Sequence, residues 1–104
     1  MFRAFEHVGL DERSALLAIK ALDSDDVAVR ANAAGALRGW TGAGDASRHL
    51  AGHLDDNWPV AVKAARSLQS MGEVGRIALE ARVARSDLSG VLARQMLWEA
   101  EVQR

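Results

Sequence analysis
Asp25-Asp26-Val27-Ala28-Val29-Arg30-Ala31-Asn32-Ala33-Ala34-Gly35-Ala36-Leu37-Arg38-Gly39-Trp40 recurs, 31 residues later, as Asp56-Asn57-Trp58-Pro59-Val60-Ala61-Val62-Lys63-Ala64-Ala65-Arg66-Ser67-Leu68-Gln69-Ser70-Met71. Five of the sixteen positions are identical: Asp25/Asp56, Val29/Val60, Ala33/Ala64, Ala34/Ala65 and Leu37/Leu68. A period between roughly 20 and 50 residues marks stacked supersecondary units, none of which can bury its apolar face alone. In the first copy Val29, Ala33, Ala36, Leu37 and Trp40 share one helical stripe; Val60, Ala64, Ser67, Leu68 and Met71 trace it in the second. Ala34 and Ala65, beside the stripe, let a neighbouring helix approach closely.

Ahead of each copy lies a shorter helical segment, from Glu12 to Leu22 and from Ala46 to Leu54, with Asp11 and Asp45 as expected N-caps. Acids open each copy, where they cap orphan N–H groups and complement the helix dipole. Pro59 sits in the first turn, which tolerates it. Thr41-Gly42-Ala43-Gly44 reads as the loop between units. The unit is therefore a helical hairpin of about 31 residues. Upstream, residues 4–9 match residues 67–72, which implies half a unit at the N-terminus. It is either a short cap or the edge of a longer array. Downstream, residues 74–85 and 88–101 form a third, degenerate pair, with Leu88, Leu92, Ala93, Met96, Leu97 and Ala100 as its stripe. The expected fold is all-α, a right-handed α-solenoid (an α-α superhelix) of about three hairpins plus an N-terminal half-repeat. It spans 1–104 as one domain.

Composition narrows the function. Nearly half the residues are apolar (49%, much of it alanine) and there is one Pro, as in packed helices rather than disorder. Thirteen Lys and Arg against fourteen Asp and Glu leave a net charge of −1, so no global field draws in nucleic acid. Without Cys there are no disulfides or thiolate metal sites. No apolar run reaches the roughly 20 residues of a membrane span, and no signal peptide is visible. A cytoplasmic protein is expected.

The pattern resembles the HEAT-repeat family, in particular the short bacterial type seen also in phycobilin-lyase-like proteins. The resemblance rests on Leu22-Asp23-x-Asp25 with Val29-Arg30-x-x-Ala33-Ala34-x-Ala36-Leu37-x-x-Trp40, and on Leu54-Asp55-Asp56 with Val60-x-x-x-Ala64-Ala65-x-Ser67-Leu68-x-x-Met71-Gly72. It covers nearly the whole chain. The stretch from Gly72-x-x-Gly75 through Ser86-Asp87 to Leu97 is also similar to the last HEAT units of some membrane-anchored bacterial proteins. The resemblance implies that turn Asp residues and the Arg after Val form a ladder between repeats. Asp25, Asp56 and Arg30 fit it, while Ala61 takes the Arg position in the second copy. It further implies that the second helix of each hairpin lines the concave, partner-facing side.

Chemistry is sparse. His49 and His53 at i, i+4 have zinc-like spacing with Asp45 a turn earlier, but no third ligand is identifiable, so no metal is assigned. Asp23, Asp25, Asp26, Asp55, Asp56 and Asp87 cluster at inner turns without the Gly of a calcium loop, and capping accounts for all six. Trp40 belongs to the core stripe, and Trp58 is expected between repeats. Trp98 is placed either as a buried terminal cap, slightly favoured, or as an exposed anchor. Ala31, Val62 and Val91 form an apolar row where a helical wheel predicts solvent, flanked by Gly35, Arg66 and Gln95. Pairing with another copy or a missing repeat would serve that row as well as a partner. Nucleophile, phosphate-loop and dinucleotide motifs are absent.

The expected function is a non-catalytic interaction or scaffold module, binding a protein through Glu6, Arg38, Val62, Arg66, Gln69, Val91 and Trp98, with no cofactor and no nucleic acid. Exposed solenoid ends leave homo-oligomers open. The alternative is an auxiliary or regulatory HEAT domain of a larger, membrane-anchored bacterial assembly. A HEAT-like DNA glycosylase or lyase ranks last.

Overall fold
Asp11 starts the first helix by accepting a hydrogen bond from Ser14 N at 2.8 Å, as its position before an apolar-periodic run predicts. The computed structural model describes residues 11–42 and 44–103; the N-terminal half-repeat and Glu6 lie outside them. Within them are six α-helices and no strand: α1 (Glu12–Ala21), α2 (Val27–Ala36), α3 (Ala46–Gly52), α4 (Trp58–Gln69), α5 (Gly72–Glu80) and α6 (Leu88–Val102). A 3-10 turn, His53–Asp55, extends α3. The all-helical expectation holds, with three helical pairs, although α1 is no shorter than α2 and α5 ends at Glu80 instead of continuing to 85.

Each helix packs on its partner in the pair: α1 on α2, α3 on α4, α5 on α6. The second helices of the pairs also pack side by side, α2 on α4 and α4 on α6, and α5 lies against both α3 and α4. One connected apolar core runs through all three pairs, from Ala15 and Ile19 to Leu92 and Met96. The thinnest dimension of the molecule is 21 Å, two helix diameters. Among the described residues no helix is long and apolar enough to cross a membrane.

The repeated phrase is realised unequally. In α4 the stripe Val60, Ala64, Ser67, Leu68, together with Met71 beyond it, is buried throughout. In α2, Val29 and Ala36 are exposed while Ala31, Ala33, Ala34 and Leu37 are buried. The helix is rolled toward α4 relative to the expected stripe. Alanine on nearly every side leaves α2 indifferent to which face it buries, so contact with α4 decides. Ser67, buried, secures that contact by donating its hydroxyl to the Ala34 carbonyl at 2.5 Å.

Two glycines permit close approach. A Cβ on Gly75 would run into the backbone carbonyl of Leu68, so α5 packs against the end of α4 with no side chain between. A Cβ on Gly90 would meet the Arg85 carbonyl, at the turn into α6. The Asp45 cap expectation fails. Asp45 adopts a left-handed conformation (φ 54°) directly after Gly44 (φ 101°), and its carboxylate makes no cap hydrogen bond.

Candidate functional site
The inner turns do more than cap helices. Asp26 caps α2, accepting from Ala28 N at 2.8 Å, and Asp87 caps α6 through Gly90 N while binding Ser89 and Arg85. Asp56 instead pairs across the first two hairpins. The Arg30 guanidinium grips it with two hydrogen bonds, Nε to Oδ2 and Nη2 to Oδ1, each 3.0 Å. Arg30 Nη1 also donates to the Ser24 carbonyl at 2.8 Å. Burial alone would raise the Asp56 pKa, but hydrogen bonds from Arg30, His53 and Asn57 N bring it down to about 2. This rung ties the first helical pair to the second. Ala61, at the equivalent position of the second copy, carries no donor, and no like rung follows among the described residues. Asp55 is held by Arg82 at 3.2 Å and Arg85 at 3.6 Å. The expectation that capping accounts for all six acids is therefore corrected: cations from other segments claim Asp55 and Asp56.

The two histidines do not form a ligand pair. His49 is exposed on α3, whereas His53 lies in the 3-10 turn with Nδ1 2.8 Å from Asp56 Oδ2. No group of three or more His, Asp or Glu placed to hold a metal is found among the described residues.

The expected partner-facing row divides into three parts. Ala31 is buried, and Val62 is half-buried on the core, so neither stands outward as the wheel predicted. Arg66 and Gln69, on α4, converge on one carboxylate of α6. Glu99 accepts from Gln69 Nε2 at 3.2 Å, from Arg66 Nη1 at 3.3 Å and from Gln95 Nε2 at 2.9 Å. Hydrogen bonds from Gln95 and Gln69 hold Glu99 below its ordinary pKa, so the cluster is anionic at its centre and bound on three sides. Gln69 Nε2 also donates to the Met96 carbonyl at 3.0 Å. These side chains pin α4 to α6 rather than wait for a partner.

The outward part is α6 itself. Val91 is 51% exposed, Trp98 62% and Val102 61%. Residues seven and eleven apart return to within about 20° of the same direction on a helix, so the three form one apolar stripe. The slightly favoured burial of Trp98 as a cap is corrected: its indole stands out. Trp58, expected between repeats, is equally exposed at the first position of α4. Trp40 is half-buried against the core, its ring lying over Gly42. Arg38 is exposed at the end of α2. Sequence reading missed Val102 because no repeat copy extends that far. It also missed a groove of about 500 Å3 between α3 and α5 that exposes Val74 and Ile77.

Comparison of the chain with protein-family models, with curated proteins and with solved structures returned no match.

Proposed function
We propose that this chain is a short HEAT-like α-solenoid that binds a protein partner on the face formed by α4 and α6, and that it performs no catalysis itself. The repeat, the successive packing of like helices and the Arg30–Asp56 rung between hairpins support the solenoid reading. The observation that carries the function is the apolar stripe Val91, Trp98, Val102, three large side chains in register that the fold leaves in water. Tryptophan at the centre of such a stripe is the side chain most enriched among residues that dominate binding energy. The Glu99 cluster beside it fixes α6 against α4, so the stripe is presented on a rigid support with little ordering cost on docking. Arg38, exposed at the end of α2, and Arg66, exposed on α4 while it holds Glu99, are the cations assigned to orient the partner.

The test uses the double variant Val91→Ser with Trp98→Ser. Retention of a purified partner should fall by tenfold or more, as loss of one buried anchor of about 2 kcal/mol requires. Far-UV circular dichroism should be unchanged, since neither side chain enters the core. Undiminished retention with intact helicity overturns the proposal.

A further inference from the structure
A second surface lies at the other edge of the last hairpin. Between α5 and α6 runs a groove of about 500 Å3 with Leu79, Met96, Leu97 and Ala100 along it. On α6, Leu97 and Ala100 lie roughly 100–160° around the helix from Trp98, so this groove faces away from the apolar stripe. Three carboxylates line it, Glu73, Glu80 and Glu101, against one cation. That cation, Arg76, is shared between Glu73 at 2.9 Å and Glu80 at 2.8 Å, and the lining keeps a negative balance.

The chain carries the complementary surface on its first described helix. Ala15, Ile19 and Leu22 turn α1 into the core. Opposite them, Arg13, Leu16, Leu17 and Lys20 occupy one sector about 100° wide. All four are exposed, Leu17 at 61% and Leu16 at 43%. The face is apolar at its centre and cationic at both ends. Arg13 and Lys20 are seven residues apart, as are Glu73 and Glu80, so both charge pairs are spaced by about 10.5 Å along their helices.

We infer that the α5–α6 groove receives α1 of a second copy of this chain, so that copies stack head to tail. The packing repeats a relation already present within the molecule, where α5 lies against both helices of the preceding pair, α3 and α4. The contact uses two different surfaces and is heterologous, so assembly continues with concentration instead of closing at a dimer. The groove between α3 and α5 is a poorer seat: Arg48 and Arg82 line it, and no carboxylate does that could pair with Arg13 and Lys20.

Sedimentation equilibrium on the full chain tests this. The weight-average mass should climb from 11.2 kDa to twice that or more as concentration rises to about 1 mM, the regime of weak association. The pair Arg13→Glu with Lys20→Glu should stay at the monomer mass, and so should Glu73→Lys with Glu80→Lys. Mixed in equal amounts, the two reversed proteins should associate again, because each supplies the charge the other has lost. A wild-type mass that stays at the monomer value overturns the inference. So does undiminished self-association of either reversed protein, or a mixture that remains monomeric. If a reversed protein loses helicity, Lys20→Gln and Glu80→Gln replace it; each should weaken association, and unchanged association overturns the inference. Trp98→Ser should leave the mass curve unchanged, and loss of association in that variant would place the contact on the wrong face.

Discussion
Two helical glycines should respond with opposite signs to the same substitution. Alanine in a helix is favoured over glycine by about 1 kcal/mol, so Gly→Ala stabilises wherever a methyl group fits. At Gly52, the last residue of α3, φ is −65° and a new Cβ meets nothing within 4 Å. At Gly75 the new Cβ collides with the Leu68 carbonyl oxygen, lies 2.7 Å from the carbonyl carbon and 3.0 Å from Met71 Cβ. Those atoms belong to backbone and to a buried side chain, so α5 must move off α4. Overpacking of this kind costs about 1–3 kcal/mol and more against backbone that cannot yield, so about 2–4 kcal/mol is expected here, from which the propensity gain of about 1 kcal/mol is subtracted. The net expectation is a loss of about 1–3 kcal/mol for Gly75→Ala and a gain of about 0.5–1 kcal/mol for Gly52→Ala. For 104 residues the unfolding entropy converts 1 kcal/mol to roughly 5 °C, giving falls of about 5–15 °C and rises of about 2–5 °C. Thermal unfolding followed at 222 nm reads both. If Gly75→Ala stabilises as Gly52→Ala does, α5 does not approach α4 as described and the packing of the third hairpin is wrong.

The Arg30–Asp56 rung should make stability pH-dependent. The Asp56 pKa is depressed to about 2, so its contribution is present above the ordinary carboxylate range and is lost as pH falls from about 4 through about 2. Urea unfolding of Asp56→Asn should show lower stability at pH 6 and a flatter profile between those limits; parallel profiles for the two proteins would remove the rung from the account. Trp58 and Trp98 should dominate acrylamide quenching, since both stand in solvent. Replacing both with Phe leaves Trp40, whose emission should shift to the blue and resist quenching; emission that stays red would mean that Trp40 is not packed on the core.

Sequence disclosed the fold where side chains differ sharply around the helix. In α4, Lys63 and Arg66 oppose Val60, Ala64 and Leu68, and the expected stripe is buried as read. In α2, alanine at 28, 31, 33, 34 and 36 gives a weak distinction between faces, and the roll toward α4 was not readable. Turn acids were legible as a group but not one by one. Whether an Asp caps its own helix or binds a cation depends on what the next hairpin brings near, and Arg30 reaches Asp56 across 26 residues. The same holds for the partner-facing row. Arg66 and Gln69 look solvent-facing on a wheel, yet Glu99, from the following hairpin, binds both. Val91 stayed legible because the α6 face opposite the core meets no other described helix, whereas the favoured burial of Trp98 supposed a covering contact that this face does not have.

The most direct test of the proposed binding face is site-specific photo-crosslinking in cells. A photoreactive phenylalanine analogue is placed in turn at positions 91, 98 and 102, with position 49 on α3 as the control. The account predicts one common protein adduct from all three α6 positions, none from position 49, and loss of the position-91 adduct when Trp98→Ser is added. Adducts that are absent from α6, or shared equally with position 49, would contradict it.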